Sequence, residues 1–81
     1  MRNLPTAFVL INTEPAWMDQ VLKKVMAVEG VKEAVMVYGI YDIVVKVETG
    51  SMHELKAIVI DHLRKIHKVK ATATMVVLKA E

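Results

Sequence analysis

The 81-residue sequence has no cysteine, three glycines, two prolines and few aromatic side chains: one tryptophan, two tyrosines and one phenylalanine. The missing cysteines exclude disulfides, zinc ribbons and thiol redox chemistry. Those are the usual supports of small domains, and oligomerisation is the remaining one, because a short chain buries too little of its own surface. No uncharged run approaches the roughly 20 residues a membrane-spanning helix requires. The opening segment MRNLPTAF has neither an apolar stretch of secretory length nor a small-residue cleavage site, so a cytoplasmic protein without membrane contact is expected. Eleven basic residues against nine acidic ones give a net charge of +2. They are interspersed, which is not the clustered footprint of a nucleic-acid binder.

What is present is apolar surface, 54% of residues by composition. The glycines and prolines fall between periodic segments, so each segment reads as one element. Thr6 to Asn12 (TAFVLIN) reads as a strand buried on both faces. Pro15 suits a helix's first turn, and from Ala16 to Val28 the residues Trp17, Val21, Leu22, Val25, Met26 and Val28 mark an amphipathic helix that Gly30 stops. Val31–Tyr38 and Asp42–Thr49 read as a hairpin around Gly39-Ile40-Tyr41, with Gly39 in the left-handed region. Ser51 and Glu54 form an S-x-x-E capping box. The helix that follows shows Leu55, Ile58, Val59, His62, Leu63 and Ile66 on one face. VKATATMVVL (69–78) is the last strand, with Thr72, Thr74, Val76 and Leu78 on one side.

The order β-α-β-β-α-β predicts an α+β, ferredoxin-like fold as a single domain over residues 1–81, with both helices on one face of an antiparallel sheet. The other face then has no cover, although strands one, two and four carry apolar residues on both sides, in the first two Phe8 and Leu10 against Ala7, Val9 and Ile11, and Val35 and Val37 against Ala34 and Met36. Leaving three or four of these in water forgoes about 1.5 kcal/mol each, comparable in sum to the whole stability of a small domain. Dimerisation through the sheets is the expected answer.

Most chemistries of this fold lack their residues. The central strands TAFVLIN and DIVVKVE offer only Phe8 for base stacking, so RNA recognition on the sheet is not expected. A metal-carrying domain would need paired cysteines before the first helix. His62 and His67 lie about 140° apart around a helix and His53 and His67 about 21 Å apart along it, so the three histidines do not converge on one metal. No nucleophilic triad, phosphate loop or dinucleotide fingerprint is present, and no cofactor or catalytic residue is implied. The scattered methionines read as core filling, and Trp17 as a packing anchor rather than a ligand stack.

What remains is the hairpin VMVYGIYDIVVKV, which concentrates Tyr38, Gly39, Tyr41 and Asp42 between apolar strands. One account is structural: a glycine turn, a carboxylate capping it, and tyrosines covering strand ends. The other is a zwitterion receptor, in which backbone N–H groups near Gly39 bind a carboxylate and Asp42 holds an ammonium group. Thr72 and Thr74 add hydroxyls for a polar ligand, though threonine also simply favours strands.

Residues 7–78 resemble the RAM domain (regulation of amino-acid metabolism) of the Lrp/AsnC, or feast/famine, transcription regulators. The most specific parts are EGVKEAVMVYGIYDIVVKV, with its YGxYD turn, and TATMVVL; the Thr13-Glu14-Pro15 helix entry supports them. The resemblance implies dimers formed through the sheets, dimers assembled into rings, and small amino-acid effectors bound between dimers. It carries ligand contacts to Tyr38, Gly39, Tyr41 and Asp42, with Thr72 and Thr74 lining the pocket. Only MRNLP precedes Thr6, where the family usually has a helix-turn-helix, so the chain resembles the stand-alone RAM proteins. Direct DNA binding is not expected of these, and regulation by mixed assembly with full-length Lrp/AsnC regulators is. The expected function is a non-enzymatic amino-acid sensor. Two alternatives stay open: a small dimeric ferredoxin-like enzyme of the monooxygenase or isomerase type, for which Asn12 is the one internal-strand candidate, and an interaction module without a ligand.

Overall fold

A computed structural model describes residues 4–79 of the chain. Four strands, β1 (Thr6–Thr13), β2 (Val31–Met36), β3 (Ile43–Glu48) and β4 (Val69–Val76), form one antiparallel sheet in the order β2-β3-β1-β4. Helices α1 (Met18–Met26) and α2 (Met52–Ala57) connect the strands. Their buried residues Val21, Val25 and Leu55 join the inward sheet residues Ala7, Val9, Ile11, Ile43, Val45 and Val47 in a single core. This is the ferredoxin-like α+β fold expected from the order of elements.

The strands make this core by strict alternation. In β1 every second residue, from Ala7 to Thr13, is buried, while Phe8, Leu10 and Asn12 on the opposite face are half-buried. The expectation of a strand buried on both faces therefore fails within one chain, since no layer among the described residues covers the second face. That face continues onto Val35, Val37 and Met75, which are 38–51% exposed. On β3, Val44 and Lys46 stand beside Leu10 and Phe8 on it. The two central strands are thus half-covered and the two edge strands are open.

Both helices are less regular than their sequence periodicity. Pro15–Trp17 forms a tight 3₁₀ turn, closed by the Trp17 N–H donating to the Glu14 carbonyl at 2.8 Å, and the α-helix starts only at Met18. Proline at the start lacks the N–H an α-turn would otherwise have to satisfy, so a short turn costs little there. Met26, expected on the apolar face, is about half exposed.

After Ala57 the second helix widens into a π turn (Ile58–His62) and tightens into a 3₁₀ turn (Leu63–Lys65). Leu55, Val59 and Leu63 recur every four residues and are all buried. In a regular α-helix such a row drifts by about 40° per step; the wider turn offsets that drift and keeps the row over the sheet. His62, expected on this face, is exposed instead.

Ser51 caps α2 as expected, its Oγ accepting from the Glu54 N–H at 3.1 Å. The Glu54 carboxylate accepts from the Ser51 hydroxyl at 3.2 Å, which closes the motif between side chains. Gly30 turns the chain from α1 into β2 at φ +98°, and a Cβ there would stand 2.5 Å from Ile58 Cδ1. Glycine is required at that position twice over, by its backbone angle and by the neighbour.

Candidate functional site

The hairpin between β2 and β3 is closed by the Val37 N–H donating to the Asp42 carbonyl at 2.9 Å, leaving Tyr38-Gly39-Ile40-Tyr41 as the connection. Gly39 is not in the left-handed region; among the described residues positive φ occurs only at Gly30 and Lys68. The expected three-residue turn is thus replaced by a four-residue loop, a length that is built from ordinary right-handed turns. Nothing lies within 4 Å of where a Gly39 Cβ would stand, so its backbone is open to approach.

Tyr38 is fully exposed at 107% and Ile40 nearly so at 89%. Tyr41 and Asp42 are half-buried. The loop therefore offers large side chains to water on a base that is firmly anchored. Asp42 supplies the anchor: its N–H donates to the Ile11 carbonyl and its Oδ2 accepts from the Thr13 N–H, both at 2.9 Å. The carboxylate fastens the loop to the end of the central strand β1, where the structural account had placed it as a cap within the turn. One carboxylate oxygen is engaged by Thr13, and acceptor capacity remains on the other.

The anchor extends past Thr13. The Thr13 hydroxyl donates to the Lys68 carbonyl at 2.8 Å, which ties the start of β4 to the same corner. Lys68 has φ +77°, and its Nζ sits 3.2 Å from Glu14 Oε2 and 5.1 Å from the Trp17 ring centroid. His67 packs edge-on to Trp17 at 5.5 Å. Trp17 is thus a packing anchor, as expected, and also holds up the corner on which Asp42 depends. Thr13 and Lys68 were not singled out from the sequence; the Thr13-Glu14-Pro15 motif was the available signal, and it marked only a helix entry.

Thr72 and Thr74 stand apart from the hairpin. They pair with Ile11 and Val9 across β4 and β1, so their side chains share the helix-facing side of the sheet. There they line a groove of about 520 Å³ between β4 and the second helix, with Leu55 and Val59 as its floor and Lys56 and Arg64 beside it. None of Tyr38, Gly39, Tyr41 and Asp42 lines this groove. Asp42 lies on one side of β1 and Thr72 on the other, two strand spacings or about 10 Å apart. Within one chain the six expected ligand residues therefore form two groups.

No group of three or more His, Cys, Asp or Glu side chains capable of holding a metal ion occurs among the described residues. No helix among them is long and apolar enough to cross a membrane. The buried polar residues Thr13 and Thr49 both use their hydroxyls on carbonyls, those of Lys68 and Ser51. Asn12 keeps a buried Oδ1 with no hydrogen-bond partner.

The family model described as the Lrp/AsnC ligand binding domain matches residues 6–81. The chain belongs to the Lrp/AsnC ligand-binding domain family. PH1916 of Pyrococcus horikoshii, an uncharacterized HTH-type transcriptional regulator, is 38% identical over 74 residues, which are 88% of this chain and 49% of PH1916. The chain thus spans about half the length of such curated relatives. A segment of 59 residues, 73% of this chain, is 41% identical to part of a homocitrate synthase of Sulfolobus acidocaldarius, of which it covers 12%. Among solved structures, FFRP-DM1 is 37% identical with a TM-score of 0.87, and the match covers 93% of this chain and 100% of FFRP-DM1. A Lrp/AsnC domain of this kind is a regulatory ligand-binding unit.

Proposed function

We propose that this Lrp/AsnC domain is a non-enzymatic amino-acid sensor, one domain over residues 1–81, working in the cytoplasm as an oligomer whose seams between chains hold the effector. The observation that carries the reading is the hairpin tip. A loop anchored by Asp42 displays Tyr38 and Ile40 to solvent, and large exposed apolar groups on a rigid base are characteristic of interaction sites. In this reading Gly39 main-chain N–H groups and Asp42 take the effector's carboxylate and ammonium, Tyr38 and Tyr41 cover it, and Thr72 and Thr74 come from a neighbouring chain. Assembly brings together two groups of residues that one chain holds apart.

The half-open sheet face gives the dimer contact. Phe8, Leu10, Val35, Val44 and Met75 form an apolar surface interrupted by Lys46. Ring assembly of dimers and mixed assembly with full-length Lrp/AsnC regulators follow from the same contacts, without direct DNA binding by this domain. Similarity to a segment of a homocitrate synthase as well as to HTH-type regulators supports a sensor detachable from any one output, and not a catalytic unit. Bound effector shifts assembly only insofar as the assembled form binds it more tightly.

Light scattering combined with calorimetry tests the proposal. The wild-type chain is expected to be a dimer or larger at micromolar concentration and to bind at least one of the twenty amino acids at millimolar ligand or below. Leu10→Glu, which puts a charge in the middle of the open face, is expected to give the monomer mass. A monomeric wild type, or no binding to any amino acid, overturns the reading.

A further inference from the structure

The groove beside β4 has an electrostatic character that the hairpin does not share. Its floor is apolar, from the buried Leu55 and Val59, and one wall carries the Thr72 and Thr74 hydroxyls. The charged groups lining it are Lys56 and Arg64, with no acidic residue. Arg64 and Thr72 also line a second groove of about 320 Å³ that runs on along β4 and adds Lys70, again without an acid. Neither Lys56 nor Arg64 has an ion-pair or side-chain hydrogen-bond partner among the described residues. Asp61, three residues before Arg64, is exposed and outside both linings.

A guanidinium offers five donors in a fork matched to a carboxylate and accepts nothing. An unpaired one, set beside hydroxyl donors over an apolar floor, complements a short aliphatic chain that ends in an anion. We infer that this groove receives the side chain of an acidic amino acid, Arg64 selecting its terminal carboxylate with Lys56 adding to the field. The inference rests on the proposed amino-acid sensor: the hairpin takes the effector's main-chain groups and leaves the groove for what distinguishes one amino acid from another. Leu55 and Val59 contact the methylenes, and Thr72 and Thr74 supply further donors to the carboxylate.

Glutamate and glutamine have the same shape and differ in charge, so they isolate the contribution of Arg64. Calorimetry on the full chain with L-glutamate, L-aspartate, L-glutamine and L-leucine is expected to show an acidic amino acid binding at least tenfold more tightly than glutamine. Arg64→Gln should abolish that preference, and Arg64→Lys should retain part of it. Arg64 is exposed, and circular dichroism of each variant checks that the fold is kept. Equal affinities for glutamate and glutamine, or a preference unchanged in Arg64→Gln, overturn the assignment while leaving the sensor reading intact. Failure of all twenty amino acids to bind overturns both.

Discussion

Asp42 carries two roles that one pair of substitutions separates. Its Oδ2 accepts from the Thr13 N–H at 2.9 Å, and Thr13 is only 4% exposed. Asp42→Ala therefore leaves a backbone donor with neither a protein partner nor ready access to water. A hydrogen bond to a charged acceptor contributes about 1.5–3 kcal/mol. Asp42 is half-buried, so solvent screens part of that, and a loss of about 1–2 kcal/mol is expected. Asp42→Asn keeps a side-chain oxygen in place to accept from Thr13 and should cost about 0.5 kcal/mol, since a neutral acceptor is the weaker one. In the sensor reading the same substitution removes the negative charge that holds the effector's ammonium group, so Asn is expected to fold nearly normally and bind at least tenfold more weakly. Urea titration at a fixed protomer concentration measures the stability arm, because association would otherwise shift the midpoints. Comparable m-values would certify that the transitions are comparable. A loss below about 0.5 kcal/mol for Asp42→Ala, or equal losses for Ala and Asn, would refute the argument that this carboxylate anchors the loop.

Gly30→Ala combines a backbone at φ +98° with an approach to Ile58 Cδ1. A strained backbone of that kind costs about 1–3 kcal/mol, and turning the Ile58 side chain aside adds about 0.5–1.5 kcal/mol. In an Ile58→Val background, which lacks Cδ1, the same glycine substitution should cost less by about the second amount; additivity within about 0.3 kcal/mol in the four-way comparison would discard the steric part. Ser51→Ala removes the oxygen that accepts from the Glu54 N–H and should cost about 1 kcal/mol by thermal or chemical denaturation, the usual penalty for a lost N-cap. Ser51→Asp should recover most of it.

The elements themselves were legible because each announced itself locally. Alternation at Ala7, Val9 and Ile11 marks a strand, Pro15 and Gly30 bracket the first helix, and Ser51 with Glu54 opens the second. Each of those signals is carried by a single residue or by residues within four positions of one another, so local physics alone sets them. The helix irregularities were not legible. Leu55, Val59 and Leu63 fit a continuous α-helix as well as a widened one, and only their common burial against the sheet reveals which packing offsets the drift. For the same reason His62, which a regular helix would place on the apolar face, is exposed.

The candidate site divides along the same line. Residue types at the hairpin, and the resemblance they carry, single out Tyr38, Gly39, Tyr41 and Asp42. That Gly39 has an ordinary backbone, and that Asp42 reaches 29 positions back to Thr13, depends on where β1 ends relative to the loop. Arg64 shows the limit most clearly. In sequence it is one of eleven basic residues; only the packing of the second helix along β4 sets it beside Thr72 and over a groove, without a partner among the described residues. By itself the sequence determined the order of elements, the apolar surplus and the absence of cysteine chemistry, since these are properties of composition and short spacing. Tertiary structure decided which of the two sheet faces stays open and which groups stand together. Those are relations between residues far apart in the chain, and they exist only once the sheet has brought its strands into register.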